Sequence, residues 1–450
     1  MKPLRYLVTI LLALPLWSGV QNLSLDQAIE MLKKENLELK ISRFDEQIKQ
    51  YEAKIARAYK LGKLDTTVTG MRSNDAGNVF GFKLQSREAT FGDFGFGELK
   101  DGADPLPVAP KALNYPVARN HYLAKATFAI PLYTGGKLEE YGKIAHKMVE
   151  MSRLDTKKVL QEKIFQTKKT FFDIALVEQY INHLTKINTN IKRLEGIVTA
   201  MQQEGYAIQT DILEVQSRSE EAQSMLIEAQ LNRDLAYQFL SFLLNQEVHS
   251  IVKPKEIKRY SPLTPENIQQ NNLDIQKAKL GVEISRMAVA VQESNFLPNI
   301  GAFAEYGSGK DAFLQDFRDK DFYTAGVQLS WNIFNGGIDS ANLQKAKIEF
   351  LKTTNQLELA KSGIAVQAKK LQTEIFAHQK KIAAHEKKLQ LASKVYETYS
   401  EKYKEGIASI SDVLVKQSEE LQALLELLGI KNDYHAKIFA LENLANKGVE

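Results

Sequence analysis

"FYTAGVQLSWNIFNGGIDSANLQKAKIEF", residues 322–350, changes the period of its apolar residues halfway along. Tyr323, Ala325, Val327, Leu329, Trp331 and Ile333 alternate with Thr324, Gly326, Gln328, Ser330 and Asn332. Beyond Gly336-Gly337 the apolar positions recur every third or fourth residue. The first pattern is that of a strand with two unlike faces, the second that of an amphipathic helix. Glycine lacks the Cβ that restricts backbone rotation, so a bare Gly pair lets a strand pass into a helix without a reversing turn.

The motif occurs twice. "PLYTGGKLEEYGKIAHK" from Pro131 resembles "NIFNGGIDSANLQKAK" from Asn332, which places Gly135-Gly136 and Gly336-Gly337 201 residues apart. "EGYAIQTDILEVQS" (204–217) resembles "EGIASISDVLVKQS" (405–418) at the same offset, pairing Gly205 with Gly406 and Asp211 with Asp412. Tyr122 and Tyr323 keep this register too. One offset held over this length indicates an internal duplication. "SLDQAIEMLKKENLELKISRFDEQI" (24–48) matches "TPENIQQNNLDIQKAKLGVEI" (264–284) more loosely, each beginning with a Ser or Thr able to cap a helix. The offset is larger there because the first half carries a Gly-, Pro- and Phe-rich stretch at 74–120, read as a long loop with at most one short hairpin. The expected plan is a signal peptide at 1–20, a first repeat at 21–248, a linker at 249–263 and a second repeat at 264–450. Each repeat reads as helix, strand, loop, strand and two long helices.

Strands are expected at roughly 63–72, 121–132, 297–306 and 322–333. Alternation over about ten residues suits a strand crossing a bilayer, one face to lipid and one to water. A half-buried strand of a soluble sandwich alternates in the same way. Here four strands stand among very long helices, with no second sheet to cover their apolar face. Four strands cannot close a barrel, and an open edge cannot lie in lipid. A barrel shared between copies is therefore expected: eight strands from two chains would fill with side chains, whereas twelve from three could leave a lumen.

Neither 137–203 nor 338–404 contains proline. At 1.5 Å per residue, helices of about 65 residues would each be roughly 100 Å long. Two seven-residue series mark a coiled-coil seam on the second. One is Ala368, Ile375, Ile382, Leu389, Tyr396 and Tyr403; the other is Leu357, Ile364, Leu371, His378, His385, Ala392 and Tyr399. His378 and His385 are two turns apart, too far to share a metal ion on one helix, and read as polar seam residues lining a wet interior. Gly205 and Gly406 fall where a helix ends, with Thr210 or Ser411 near the next N-terminus. Asp211 and Asp412 then lie in a first turn, where the helix dipole favours an anion.

A chain 44% hydrophobic and 25% charged is neither disordered nor an α-helical integral membrane protein. The N-terminal "MKPLRYLVTILLALPLWSGVQ" has the layout of a secretory signal peptide, its apolar part too short to span a bilayer; a membrane anchor is the alternative. Loss of Lys2 and Arg5 lowers the formal charge from +4 to +2, which gives no argument for nucleic acid. Absence of cysteine excludes disulfides, thiolate metal sites, a cysteine nucleophile and lipid attachment through cysteine. Seven scattered histidines and no Gly-rich loop after a strand leave no convergent site, so neither an enzyme, a metal centre nor a cofactor is expected.

The signal peptide, the duplicated plan, the strands running into "GG" and the paired "G-x5-D" turns resemble the TolC-like outer-membrane efflux channels over nearly the whole mature chain. The resemblance implies a trimer. A twelve-stranded β-barrel in the outer-membrane lipid, four strands from each mainly α chain, would continue into a long periplasmic α-helical coiled-coil barrel. It implies a passive exit duct for a tripartite efflux or type I secretion system. The partners would be a periplasmic adaptor and an inner-membrane pump of the RND, ABC or MFS type. On this resemblance Gly205, Tyr206, Gly406 and Ile407 would form adaptor-docking tips, and Gly135, Gly136, Gly336 and Gly337 the strand-to-helix junctions. Asp412, Tyr403, Asp211 and Thr210 would form the periplasmic constriction. Two departures stand out: Ala408 replaces a gate arginine and Val415 a second constriction aspartate, so the gate would keep fewer polar links. The competing readings are a periplasmic adaptor, which should carry compact all-β segments around one helical hairpin, and an envelope coiled-coil protein without a pore.

Overall fold

The computed structural model describes residues 19–99, 102, 104, 106–255, 260, 262–313 and 319–447. The signal-peptide reading lies outside the described residues up to position 18. In chain order the elements are α1 (Leu25–Glu35), α2 (Leu37–Ala58), β1 (Lys63–Ser73), α3 (Ala76–Gln85), α4 (Lys111–Asn114), β2 (Arg119–Tyr133), α5 (Lys137–Gln203) and α6 (Gln209–Leu244). The second half follows with α7 (Pro265–Asn271), α8 (Leu273–Glu293), β3 (Asn299–Lys310), β4 (Asp321–Ser330), α9 (Ile338–Lys404) and α10 (Ile410–Leu444). Helices α5 and α9 are each 67 residues long and keep the 201-residue offset at both ends. The chain forms two compact units that cut across the repeats: 47–150 with 280–354, and the remainder.

In the first of these units the strands pair antiparallel in the order β1-β2-β3-β4, leaving β1 and β4 as open edges. The register aligns Leu64, Phe128, Ala304 and Ala325 in one row, and Ile130, Ala302 and Val327 in another. That face is apolar and bare: Leu64 is 68%, Val327 67% and Leu329 60% exposed. The opposite face carries Asp65, Thr67, Thr127 and Gln328, with Lys125 bonded to Glu305 at 2.9 Å. Phe303 lies over Gly326, where a Cβ would approach the ring to 3.0 Å. An uncovered apolar face of this kind has no place in water.

Three details differ from the sequence reading. β4 ends at Ser330 rather than Ile333, because β3 begins at Asn299 and offers no partner beyond it; the Trp331 indole instead donates to the Phe296 carbonyl at 3.1 Å. β3 runs on to Lys310 because Gly307–Lys310 pair with β2. The 74–120 stretch holds α3, α4 and two short 3₁₀ turns among its described residues, not a hairpin.

In the other unit the duplication is visible as two copies of one core. Ile174, Leu240 and Leu244 pack in one cluster, and Ile375, Leu441 and Ala445 take the corresponding places in a second. The α9 seam holds: Ala368, Leu371, Ile375 and Tyr403 are buried and its other members, histidines included, half-buried. Ser24 and Thr264 cap their helices as expected. The opening helix of each repeat, however, is two helices. Asn36 and Asn272, both buried, break it in the same way. The Asn36 side chain accepts from Leu39 N–H at 2.9 Å and donates to the Leu243 carbonyl at 2.8 Å. Asn272 repeats this with Ile275 at 3.0 Å and Leu444 at 2.9 Å. Each residue thus caps one helix and satisfies the C-terminal carbonyl of another. Asn36→Ala and Asn272→Ala should each cost about 1–3 kcal/mol, by loss of the cap and a stranded carbonyl; thermal unfolding followed by circular dichroism measures it.

Candidate functional site

The α5–α6 and α9–α10 turns belong to the helical unit. Gly205 and Gly406 stand at φ +81° and +74°, with open space where a Cβ would go. Each ends a long helix by returning N–H groups to its last carbonyls: Tyr206 to Met201 at 2.7 Å, Ile407 to Lys402 at 2.8 Å. A residue with a Cβ is strained at such φ. Just past the glycines, Tyr206 is 81% and Ile407 69% exposed, apolar side chains with no covering element among the described residues.

The returning helices are capped unequally. Ser409 accepts from Asp412 N–H at 3.1 Å, and its own N–H and hydroxyl donate to Asp412 Oδ2 at 3.1 and 2.7 Å. In the first copy Ile208 occupies the cap position, and only its N–H reaches Asp211, at 3.0 Å. The Ser409 hydroxyl and N–H, with Lys416 nearby, hold the Asp412 carboxyl below the usual carboxylate range. The caps are therefore Ser409 and Ile208; Ser411 and Thr210 are the second residues of the helices, two positions past the caps. Ser411 donates to Glu214 at 2.7 Å and ties the two turns together. Ser409→Ala should destabilise the second turn by about 1 kcal/mol, with no effect on the first; local amide exchange at Asp412 and Val413 measures it.

Tyr403 is buried in a cluster drawn from both repeats, with Val198, Val215, Val413 and Leu414. Its hydroxyl lies 3.4 Å from Met201 Sδ, and burial followed by the charge of Asp211 raises its pKa. Asp412 and Thr210 are exposed, Asp211 half-buried. The structure therefore brings Tyr403 and Asp211 together and leaves Asp412 and Thr210 facing solvent in the single chain. Higher on α9, His385 Nδ1 is 3.4 Å from Glu426, whose same oxygen takes Lys388. Among the described residues no group of His, Asp and Glu could hold a metal ion.

The strand-to-helix junctions lie in the sheet unit. Gly135, Gly136, Gly336 and Gly337 all have positive φ, from +61° to +85°. Thr134 and Asn335 hold equivalent places before them: the Thr134 hydroxyl accepts from Leu138 N–H at 3.3 Å, and Asn335 bonds Asp339 at 2.6 Å. The two residues are 201 apart, the offset of the repeats.

The model of the family described as "Outer membrane efflux protein" matches residues 28–246 and 264–447. The chain belongs to that family. The two matched segments follow the two repeats. A curated relative, the alkaline protease secretion protein AprF of Pseudomonas aeruginosa, is 23% identical over 240 residues. That match spans 51% of this chain and about half, 50%, of AprF. Among solved structures, the outer membrane protein VceC of Vibrio cholerae superimposes with a TM-score of 0.76 at 14% identity, over 95% of this chain and 97% of that one. The open-state MtrE channel of Neisseria gonorrhoeae gives 0.76 at 14%, over 95% and 89%. The fold, mainly helical with one small four-stranded sheet in two repeats, is that of outer-membrane channels. No described helix is long and apolar enough to cross a membrane; the family and the bare apolar sheet agree on the outer membrane as its location.

Proposed function

We propose that this chain is the exit duct of a tripartite efflux or secretion system, conducting cargo passively from the periplasm to the outside. The observation that carries this is the sheet: four strands, two open edges, one bare apolar face and one polar face with a half-buried ion pair, Lys125–Glu305. Three copies joined edge to edge give twelve strands, enough to enclose a lumen with the apolar face in outer-membrane lipid. The long helices of the same three copies line the periplasmic part of the duct. A periplasmic adaptor docks at Gly205, Tyr206, Gly406 and Ile407, and connects the duct to an inner-membrane pump of the RND, ABC or MFS type. The constriction lies at the same turns, with Asp412 of three copies forming an acidic ring beside Asp211, Thr210 and Tyr403. The two repeats at 21–248 and 264–450 supply equivalent walls, joined by 249–263.

Asp412→Asn tests the ring without removing the cap, since the amide oxygen still accepts from Ser409. It should lower cation selectivity and cation block; unchanged values would take Asp412 out of the pore. The duct itself is tested by conductance of the purified protein in a planar bilayer. Stable, ohmic channels are expected, and a protein that inserts without conducting would favour the pore-free coiled-coil reading.

A further inference from the structure

The connection between β1 and β2 places its helix on one particular face of the sheet. Phe82 of α3 stacks on His121 of β2, ring centroids 4.5 Å and planes 6° apart, and Gln85 Oε1 lies 2.9 Å from His121 Nε2. His121 pairs with Met71 and shares a face with Lys125 and Thr127, the polar one. Its ring covers Gly309, where a Cβ would come within 2.7 Å. A single sheet cannot bury a histidine by itself, yet His121 is fully buried. α3 is the cover, and its buried side chains are Val79 and Phe82.

The helix is also tied down. Glu88, just beyond α3, pairs with Arg119 at the start of β2 and with Lys320 in the β3–β4 connection. Arg119 lies 3.7 Å from Asp311, and Arg87 donates to the backbone carbonyls of Asp319 and Asp321. Lys83 of α3 pairs with Asp93 further along the connection. Burial pushes the Glu88 carboxyl up, but the bonds from Lys320 and Arg119 outweigh it and keep it below the usual range. Such charge-assisted bonds are the strong ones.

We propose that α3 is a lumenal lid: in the closed barrel three copies of α3 lie inside the outer mouth, held by the Glu88–Arg119–Lys320 ties, and narrow the exit. This rests on the reading of the polar face as the lumen. A helix with its side chains is about 10 Å across, so three of them obstruct a mouth of twelve strands.

The test uses the full chain in planar bilayers and in intact cells, with Glu88→Gln to cut the ties and Phe82→Ala to remove the stack. A reporter, Gln328→Cys, sits exposed on the polar face towards the other end of β4, and the chain has no other cysteine. Each release is expected to raise single-channel conductance about two-fold or more. It should also speed labelling of Gln328→Cys by a bulky polyethylene-glycol maleimide added outside, while a small charged thiol reagent already labels the parent. Channels that conduct but show unchanged conductance and unchanged bulky labelling in both variants would overturn the lid. No conductance in any variant, with the reporter closed to the small reagent as well, would instead overturn the duct reading and the lid with it.

Discussion

Export is expected to stop in Tyr206→Asp and Ile407→Asp while the protein still assembles and inserts. Both side chains are exposed, at 81% and 69%, so the substitutions remove nothing from the core. They also leave Gly205 and Gly406 in place, so the backbone of each turn keeps its positive φ. What they change is the chemistry of the tip. If the turns are the docking surface proposed above, an apolar side chain at its centre is replaced by a carboxylate, whose burial without a partner costs several kcal/mol. Three copies repeat the cost at every site. Export of a pump substrate from cells, alongside the trimer band and outer-membrane content, reads both halves of the prediction. Export surviving in both variants would move the docking surface away from these turns.

The second large effect is expected in the sheet. Val327→Lys puts a charge in the middle of the apolar face, in the row of Ile130 and Ala302. For a strand facing lipid this costs about 2–4 kcal/mol per copy near the bilayer midplane. Assembled protein in the outer membrane should fall sharply. Gln328→Lys, one residue along and on the opposite face, should assemble normally, because the lumen is wet. Equal tolerance at both positions would mean that neither face meets lipid.

Much of this was legible in the sequence for one physical reason. A strand that separates lipid from water must alternate, and Tyr323 to Leu329 do so without exception. The duplication then set α5 and α6 201 residues before α9 and α10, and α5 and α9 keep that register to the residue. What stayed hidden depends on contacts distant in sequence. The end of β4 is set by where β3 begins, which Trp331 and Ile333 cannot reveal. Asn36 and Asn272 sit in helical patterns that a polar residue does not visibly interrupt; only the carbonyls of Leu243 and Leu444 show what they do. α3 forms in a stretch rich in Gly and Phe, and His121 with Gly309 supplies the surface on which Phe82 packs. At the candidate site the turns and their aspartates were readable from spacing. The unequal caps were not, since the spacing pointed to Thr210 and Ser411, whereas Ile208 and Ser409 hold the cap positions and only Ser409 has a hydroxyl to close the box.

The claim that three sheets close one barrel is tested most directly by joining their edges. The chain has no cysteine, so every disulfide formed is one that was placed. Thr67→Cys on edge strand β1 would be combined in turn with Thr324→Cys, Gly326→Cys and Gln328→Cys on edge strand β4, all on the polar face. Mild oxidation of the membranes, followed by denaturing electrophoresis, should give for at least one pair a ladder that stops at three linked chains. A ladder running past three, or no linked species with any pair, would contradict the closed twelve-stranded barrel.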